Sequence, residues 1–306
     1  MFRICIAIVL VLSVPSPGLA FEFSRNLIGR VSVFTNDFIG DGRDRWRSGA
    51  YFRSTFSGPP WTGDLPAQPS ITEFRLRGET IAPTNAYNPP AAGERPYVGV
   101  VAAGLYTHFG RGGTGYRVGA ELVATGPQTG VSTFVTRAHE ILGFRAPIAT
   151  AGQLGDAVYP TVTAEAYKLM PRGRARPYDL RPFAEFQVGV ETYARVGVDL
   201  IFGAPADGAL ATRDPVTGQV LTVATVRRQS GLMPSVGVDI AYVEGSKYLP
   251  ASSGLTVEPW RMRARIGARY VADRRDLFVG LTWLGPEYTT QQTGQVVGSL
   301  AFNYRF

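Results

Sequence analysis

Apolar residues at every second position constrain the fold of this chain more than any other feature of its sequence. From Trp260 to Tyr270 the even-numbered positions are apolar, whereas arginines occupy four of the five odd-numbered positions. Because successive side chains of a strand point to opposite faces, this pattern predicts a strand with one apolar and one arginine-rich face. A soluble sandwich would turn the apolar face to a core, and a membrane barrel would turn it to lipid and the arginines to the lumen.

Similar alternation recurs along the chain and carries charges of both signs. Two glutamates and two arginines alternate with other residues, mostly apolar, over 73–79, and comparable patterns occupy 116–122 and 184–190. Opposite charges on facing strands could pair across a lumen, where unpaired charges would be costly.

Thirteen segments are predicted as strands: 27–37, 46–57, 71–80, 97–107, 115–124, 158–169, 181–191, 193–202, 219–229, 232–243, 258–271, 276–284 and 296–306. Since single-chain bacterial barrels have an even number of strands, we expect twelve, with one segment misassigned or two merged. Long connectors are expected on one side of the barrel and short turns on the other. The long ones are 58–70, 82–96, 125–157, 203–218, 244–257 and 285–295.

The N-terminal residues have the features of a secretory signal peptide. A basic residue precedes an apolar stretch over 4–14, and a small-x-small cleavage site ends at Ala20. We therefore expect residues 1–20 to be removed and residues 21–306 to form one outer-membrane barrel domain. The only cysteine, Cys5, would leave with the peptide, which excludes a thiol nucleophile, a disulfide and a zinc-thiolate site.

Two further features favour the membrane barrel over a periplasmic β-sandwich. No later segment approaches the roughly 18 uninterrupted apolar residues that a transmembrane helix needs, although 45% of the residues are hydrophobic. The last predicted strand alternates up to Phe306, and a terminal aromatic residue resembles the signal that the barrel-assembly machinery reads. We therefore predict an all-β protein of the bacterial outer membrane. It is expected to be a closed antiparallel transmembrane barrel, inserted by that machinery and monomeric.

The net charge of +7 comes mainly from arginine, because Lys168 and Lys247 are the only lysines. A GC-rich genome explains such an excess as readily as function does. The functional interpretation is that arginine forks suit phosphate and carboxylate groups better than lysine does. Nucleic acid is not expected as a partner of an exported chain.

Two histidines are the candidates for a general base. His108 lies beside a short turn, and we interpret it as a rim or turn residue. His139 lies in a segment without clean alternation, where 131–142 is predicted as a short helix ended by Gly143 as its C-cap. A histidine on such a helix makes sense if the helix folds into the barrel lumen, but a structural histidine in a loop fits equally well.

A second concentration of polar residues follows the first predicted strand. Asn36 and Asp37 stand where such residues usually form turns, and Asp41 and Asp44 resemble only a fragment of a calcium-binding loop. A carboxylate with oxygen neighbours, and without sulfur or a histidine cluster, favours Ca²⁺ over Zn²⁺.

The nucleophile can be predicted in two ways. The chain has no G-x-S-x-G elbow, so a serine nucleophile would require Ser48 to lie near His139. A water molecule activated by His139, with a cation polarising an ester carbonyl, needs fewer parts.

Four motifs together resemble the outer-membrane lipid A 3′-O-deacylases. They are Asn36-Asp37, the segment from Asp44 to Gly49, the segment from Gly93 to Gly99, and Gly126-Pro127 leading to Arg137-Ala138-His139. Their order and spacing agree with the family over roughly residues 31–143, and beyond them only the alternation and the terminal Phe306 agree. The resemblance implies a twelve-stranded barrel with the active site between the wall and a helix inside the lumen.

The resemblance also implies a reaction. The protein would be a carboxylic ester hydrolase that removes the ester-linked 3′ acyl chain of lipid A in lipopolysaccharide, reached laterally from the outer-membrane lipid. His139 would take a proton from water, Asp37 would hold Ca²⁺, and Asn36 with the cation would stabilise the oxyanion.

Two departures from the family concern the site itself. Family members have Thr or Ser at one position of the motif that runs here from Asp44 to Gly49. In this chain either Ser48 or Arg47 takes that place. Ser48 would point outward if Ala50 and Phe52 do. The acidic residue expected several positions after the histidine is Arg145 in this chain.

A third departure concerns phosphate binding. The connector 82–94 lacks the basic pair that could hold a lipid A phosphate in relatives. We therefore predict Arg47 and Arg95 as substrate-binding residues, with the luminal arginines as a further source of positive charge. The same arginines would also suit a barrel without catalysis, such as an anion-selective pore or a structural protein.

Overall fold

The computed structural model describes residues 26–88, 93–168, 170, 178–203, 208–226, 230–272 and 275–304. Twelve antiparallel strands close into a barrel in which β1 (Leu27–Asn36) pairs with β14 (Gln295–Tyr304). The other wall strands are β2 (Trp46–Ser57), β3 (Ile71–Ala82), β4 (Val98–Arg111), β5 (Thr114–Thr125), β6 (Ala157–Tyr167), β7 (Asp179–Val188), β8 (Glu191–Ile201), β11 (Gly231–Ser246), β12 (Trp260–Ala272) and β13 (Arg275–Leu284).

The prediction of a closed all-β barrel of twelve strands is confirmed. The surplus thirteenth segment, 219–229, contributes no wall strand. Its β10 (Val220–Thr225) pairs with β9 (Ala209–Arg213), and the two form a separate hairpin. The predicted signal peptide and Phe306 lie outside the described residues.

Two α-helices accompany the strands in the part of the chain described. A single turn, α1 (Asp37–Gly40), follows β1, and α2 (Val131–Leu142) lies in the connector between β5 and β6. Gly143 ends α2 in the left-handed conformation, with φ 74°, and this confirms its prediction as the C-cap. No helix in the described part of the chain is both long and apolar enough to cross a membrane.

The two faces of the wall follow the alternation in the sequence. On β12 the even-numbered Trp260, Met262 and Ile266 are at least half exposed, whereas Arg261 and Arg263 are buried. The exposed apolar face therefore meets lipid and the arginines point into the lumen, as predicted.

The lumen is filled rather than open. Leu210 and Leu221 of the β9–β10 hairpin pack in one cluster with Val31, Phe52 and Phe56 of the wall. This cluster places the hairpin inside the barrel. Two small cavities of about 70 and 60 Å³ lie among the luminal side chains.

The luminal charges pair across the barrel. Each of the following arginines contacts at least one carboxylate at 3.3 Å or less: Arg47, Arg75, Arg77, Arg117, Arg195, Arg213, Arg261, Arg263 and Arg265. His108 also belongs to this network, because its Nε2 lies 2.8 Å from Glu73 Oε2. The prediction of His108 as a rim residue was wrong, since β4 continues to Arg111 and the side chain is buried in the lumen.

Long connectors occur at both ends of the barrel. Successive antiparallel strands cross in opposite directions, so connectors that follow β2 and β3 must lie at opposite ends. The expectation of long loops on one side was therefore wrong for 58–70 and for the connector that follows β8, because β2 and β8 both finish at the end from which the hairpin enters. We call this the hairpin end, and the other the α2 end. The predicted connector 203–218 also contains β9, which lies inside the barrel.

α2 lies outside the lumen, against the outer face of the wall. Val98 and Val100 belong to a luminal cluster, so Gly99 between them faces outward. A Cβ built on Gly99 would lie 3.0 Å from the Cβ of Val131, the first residue of α2. The short helix was predicted, but its placement inside the lumen was wrong, because bare backbone at Gly99 lets it pack on the outer rim.

A substitution at Gly99 tests this placement. We expect Gly99→Val to displace α2, because a Cβ there would also lie 2.8 Å from Thr129 Oγ1. Trypsin cleavage at Arg137 should then become several-fold faster, while the heat-modifiable gel mobility of the barrel persists. Gly78→Val is the matched control, since a Cβ at this outward position of β3 meets nothing within 4 Å. If trypsin cleaves both variants at the same rate, the packing of α2 against Gly99 is contradicted.

Ion conductance tests whether the lumen is sealed. We expect the wild-type protein to carry no steady current in a planar bilayer, because paired charges and the hairpin fill its lumen. Replacing residues 208–226 by a short Gly-Ser linker should open a conducting path. The control replaces residues 251–254 at the α2 end in the same way and should stay silent. A conducting wild-type protein would refute the seal.

Candidate active site

Three segments meet outside the lumen at the α2 end. They are the stretch from Asn36 to Ser48, the connector 83–88, and α2 with its tail to Ala149. The backbone N–H groups of Ile148 and Ala149 donate to the carbonyl of Ala86 at 2.9 and 3.0 Å. These bonds fix the tail of α2 against the connector, so residues distant in sequence share one site.

Asn36 ends β1 and caps α1. Its Oδ1 accepts a hydrogen bond from the N–H of Phe38 at 2.9 Å. Its Nδ2 lies 3.3 Å from where a Cβ on Gly49 would stand. The side-chain oxygen is therefore engaged in the cap, and Nδ2 is the group that could donate to a ligand.

Asp37 is buried beside two other carboxylates. Its Oδ2 accepts a hydrogen bond from the N–H of Arg45 at 2.7 Å. Burial raises the pKa of Asp37 to about 8 against the opposing effect of this hydrogen bond, and the charges of Asp44 and Asp41 act in the same direction as burial.

Ser48 is the extra residue of a β-bulge. The register of β2 against β3 shifts between Arg47 and Gly49, and the Ser48 hydroxyl donates to Oδ1 of Asp44. Ala50 and Phe52 are buried and face the lumen, so the condition under which Ser48 was expected to point outward is not met. The bulge takes Ser48 out of the regular alternation and lets its hydroxyl reach Asp44.

His139 is held by the loop that follows its own helix. Its Nδ1 lies 2.8 Å from the carbonyl oxygen of Arg145, and its ring meets the edge of Phe144 at a centroid distance of 6.1 Å. Because a carbonyl can only accept, Nδ1 carries a proton, and the neutral tautomer compatible with this contact has its lone pair on Nε2. That arrangement suits a general base.

Tyr87 connects the histidine segment to the carboxylates. Its hydroxyl donates to Oδ2 of Asp44 at 3.1 Å, and its carbonyl accepts from Nη2 of Arg145 at 3.1 Å. Burial and the neighbouring Asp44 raise the pKa of Tyr87 to about 12, so the hydroxyl stays a donor. Sequence reasoning missed this residue, and an aromatic side chain within a polar connector was the only signal for it.

The structure thus gathers His139, Asn36, Asp37 and Ser48 into one region but joins the histidine to the others indirectly. Among the described residues, the hydrogen-bonded path from His139 runs through Arg145, Tyr87 and Asp44 to Ser48.

The other two predicted site residues lie elsewhere. Arg47 contacts Glu79 and Glu287 at 2.6 Å each, and the fully buried Arg95 also pairs with Glu287. The carboxylates hold Arg47 on the luminal side, and Arg95 pairs with Glu287 through Nη1 while its Nε and Nη2 have no partner within the described residues. No described contact joins either residue to His139, and their role in substrate binding stays a prediction.

Comparison with known proteins identifies the family to which this barrel belongs. Residues 5–306 match the sequence model of a family described as outer membrane protein LpxR. The chain belongs to the LpxR family. It is accordingly a protein of the bacterial outer membrane, as its closed barrel also indicates.

Solved structures show the same fold. LpxR from Salmonella typhimurium superposes with a TM-score of 0.73 at 16% identity, over 91% of this chain and 100% of that one. The β domain of the Bordetella autotransporter BrkA gives a TM-score of 0.44 at 10% identity over 92% and 100% of the two chains, which is too low to carry an argument. No curated protein sequence matched.

The calcium ion predicted from the family resemblance can be tested against the donor groups of this LpxR-family chain. Ca²⁺ takes six to eight oxygen ligands, usually with several carboxylates. Asp44 already accepts from Ser48 and Tyr87, and Asp41 pairs with Arg45 at 3.0 Å. Across the described residues, no group of three or more His, Cys, Asp or Glu side chains is placed to hold a metal. The residues present do not fit a calcium site.

The raised pKa of Asp37 can be tested by measuring how the free energy of unfolding depends on pH. In the unfolded chain this carboxyl ionises near its ordinary pKa of 3.8, but in the folded protein only near 8. Stability should therefore fall as the pH rises through this window, because only the unfolded state releases the proton. Asp37→Asn keeps the acceptor for Arg45 and removes the titration.

We expect the guanidinium unfolding midpoint of the wild type, in detergent with chelator, to fall relative to that of Asp37→Asn between pH 4 and pH 8. Asp64→Asn, at an exposed carboxylate of the hairpin end, is the control. If the unfolding midpoints of the wild type and Asp37→Asn differ by the same amount at every pH from 4 to 8, the raised pKa is contradicted.

Proposed function

We propose that this protein is a lipid A deacylase of the outer membrane, which hydrolyses the ester-linked acyl chain at the 3′ position of lipopolysaccharide. Membership of the LpxR family supports the general activity. The observation that carries the chemistry is the Nδ1 contact of His139 with the Arg145 carbonyl, while Nε2 has no partner among the described residues and is available as a base.

The position of the site supports a membrane lipid as substrate. α2 begins on the outward face of the wall, and several apolar side chains near the site are exposed, among them Phe38, Phe134 and Ile141. An acyl chain in the outer leaflet could therefore approach the site laterally, without entering the filled lumen.

Hydrolysis begins with water. Nε2 of His139 takes a proton from a water molecule as its oxygen bonds to the ester carbonyl carbon, and the carbonyl becomes a tetrahedral oxyanion. Nδ2 of Asn36 donates to this oxyanion. When the C–O bond to the sugar breaks, the imidazolium returns the proton to the leaving oxygen. The products are a fatty acid and a lipid A with a free hydroxyl.

Ser48 serves this reaction by positioning Asp44 rather than as the nucleophile. Its hydroxyl hydrogen is directed to Asp44 Oδ1, and a serine nucleophile would instead donate to the base. Asp44 in turn orients Tyr87, which holds the Arg145 segment that carries the carbonyl partner of His139.

A pore is disfavoured by the same structure, because its luminal arginines are paired and the hairpin fills the lumen. Insertion by the barrel-assembly machinery and a monomeric state stay predictions.

His139→Ala tests the enzyme. We expect a loss of roughly 10²- to 10⁴-fold in rate, the usual contribution of a general base. The measurement is mass spectrometry of lipid A incubated with detergent-folded protein, with folding checked by heat-modifiable mobility. Loss of a 3′-linked chain identifies the position. Glu140→Gln, at the exposed neighbouring residue, should retain activity. A His139→Ala variant as active as the wild type would exclude the mechanism.

A further inference from the structure

Arg145 occupies a special place in the site. It lies in the tail of α2, its carbonyl accepts from His139 Nδ1 at 2.8 Å, and its Nη2 donates to the carbonyl of Tyr87 at 3.1 Å. Its Cζ lies 5.5 Å from the centroid of the Tyr87 ring. One residue therefore holds the base through its main chain and carries a positive charge through its side chain.

The guanidinium and the carboxylates stand at opposite ends of Tyr87. The main chain and ring of Tyr87 contact Arg145, and its hydroxyl donates to Asp44 at 3.1 Å. Asp44 and Asp37 lie close enough for each charge to affect the other. The positive charge of Arg145 thus faces the acidic cluster across one aromatic side chain.

Arg145 forms no ion pair with any residue that the structure describes. Arg45, which also lies beside the carboxylates, is buried and pairs with Asp41 at 3.0 Å, with its Cζ 4.0 Å above the Trp46 ring. Arg145 is exposed, and within the described chain its guanidinium has only the neutral Tyr87 carbonyl as a hydrogen-bond acceptor. Further N–H donors remain available to an incoming oxygen.

A fixed guanidinium can supply what a metal ion would supply to ester hydrolysis, namely positive charge and donors for the oxyanion. It would also repel a divalent cation from the same position. A guanidinium that supplies the positive charge in place of a metal would explain both the incomplete set of carboxylate ligands and the presence of Arg145.

We propose that the Arg145 guanidinium, rather than a bound divalent metal, provides the positive charge of this site, so that hydrolysis does not require a metal. This inference rests on the proposed deacylase activity. The guanidinium donates to the carbonyl oxygen as the water oxygen bonds to the carbon, and releases it when the C–O bond to the sugar breaks. Protons move only between water, His139 and the leaving oxygen.

The first measurement is calcium binding, which does not depend on activity. Detergent-folded wild type, stripped of metal, is titrated with CaCl₂ in a calorimeter. We expect no binding to the wild type, and binding of one ion to Arg145→Glu, because that change adds an acidic ligand and removes the repelling charge. The double variant that combines Arg145→Glu with Asp37→Asn should lose this calcium binding again. Stoichiometric Ca²⁺ binding by the wild type would overturn the proposal.

The second measurement is hydrolysis of purified, detergent-dispersed lipid A with EDTA or with CaCl₂. We expect wild-type rates within two-fold of each other in the two buffers. Arg145→Gln should lose at least ten-fold in both, and Arg145→Glu should lose activity in EDTA and regain part of it in CaCl₂. The control Arg137→Glu reverses an exposed charge on α2, and no described contact joins Arg137 to the site. This variant should behave as the wild type.

The outcomes separate this inference from the proposed function. Wild-type activity abolished by EDTA, or a fully active Arg145→Gln variant, would overturn the role of Arg145 and keep the deacylase. If the wild type leaves lipid A unchanged in both buffers, the deacylase fails and the proposed catalytic role of Arg145 fails with it. The calorimetry then reports only whether Arg145 excludes Ca²⁺ from the cluster.

Discussion

The structure depends on the pairing of charges inside a closed barrel. Nine arginines turned away from lipid each contact a carboxylate. This pairing is needed because an unpaired buried charge costs several kcal/mol. Arg265 shows the density of this network, because it contacts both Asp199 and Asp239. The β9–β10 hairpin joins it through Arg213, which pairs with Glu165 and Asp199. The hairpin is thereby anchored by charge as well as by its apolar cluster.

A filled lumen leaves the outer rim as the place for chemistry. The polar residues near Asn36 lie beyond the end of a wall strand, where the chain can leave the alternating pattern through α1 and the bulge at Ser48. Gly99 allows α2 to pack against the same rim, and the tail of the helix returns to the connector at Ala86. His139 and the carboxylates are therefore supported by the wall, with Asp37 buried and His139 partly exposed.

Sequence reasoning could predict those parts of the site that local chemistry determines. The helix around His139 and its end at Gly143 follow from the lack of strand alternation in this segment and from the conformational freedom of glycine. The roles of Arg47 and Arg95 could not be predicted in this way. Both are arginines in polar segments, and only the fold decides that their partners, such as Glu287, lie within the barrel. Tyr87 was missed for the same reason, because its partner Asp44 is 43 positions away in sequence.

The sequence by itself determined the class of fold, because the two-residue period of a strand states which side chains share a face. It also determined the helix of His139 and the acidic turn after β1. Only the tertiary structure decided which end of the barrel each connector occupies, that β10 lies inside the wall, and that α2 lies outside it. Those outcomes depend on strand direction and on contacts between distant residues, and alternation within one strand contains no information about either.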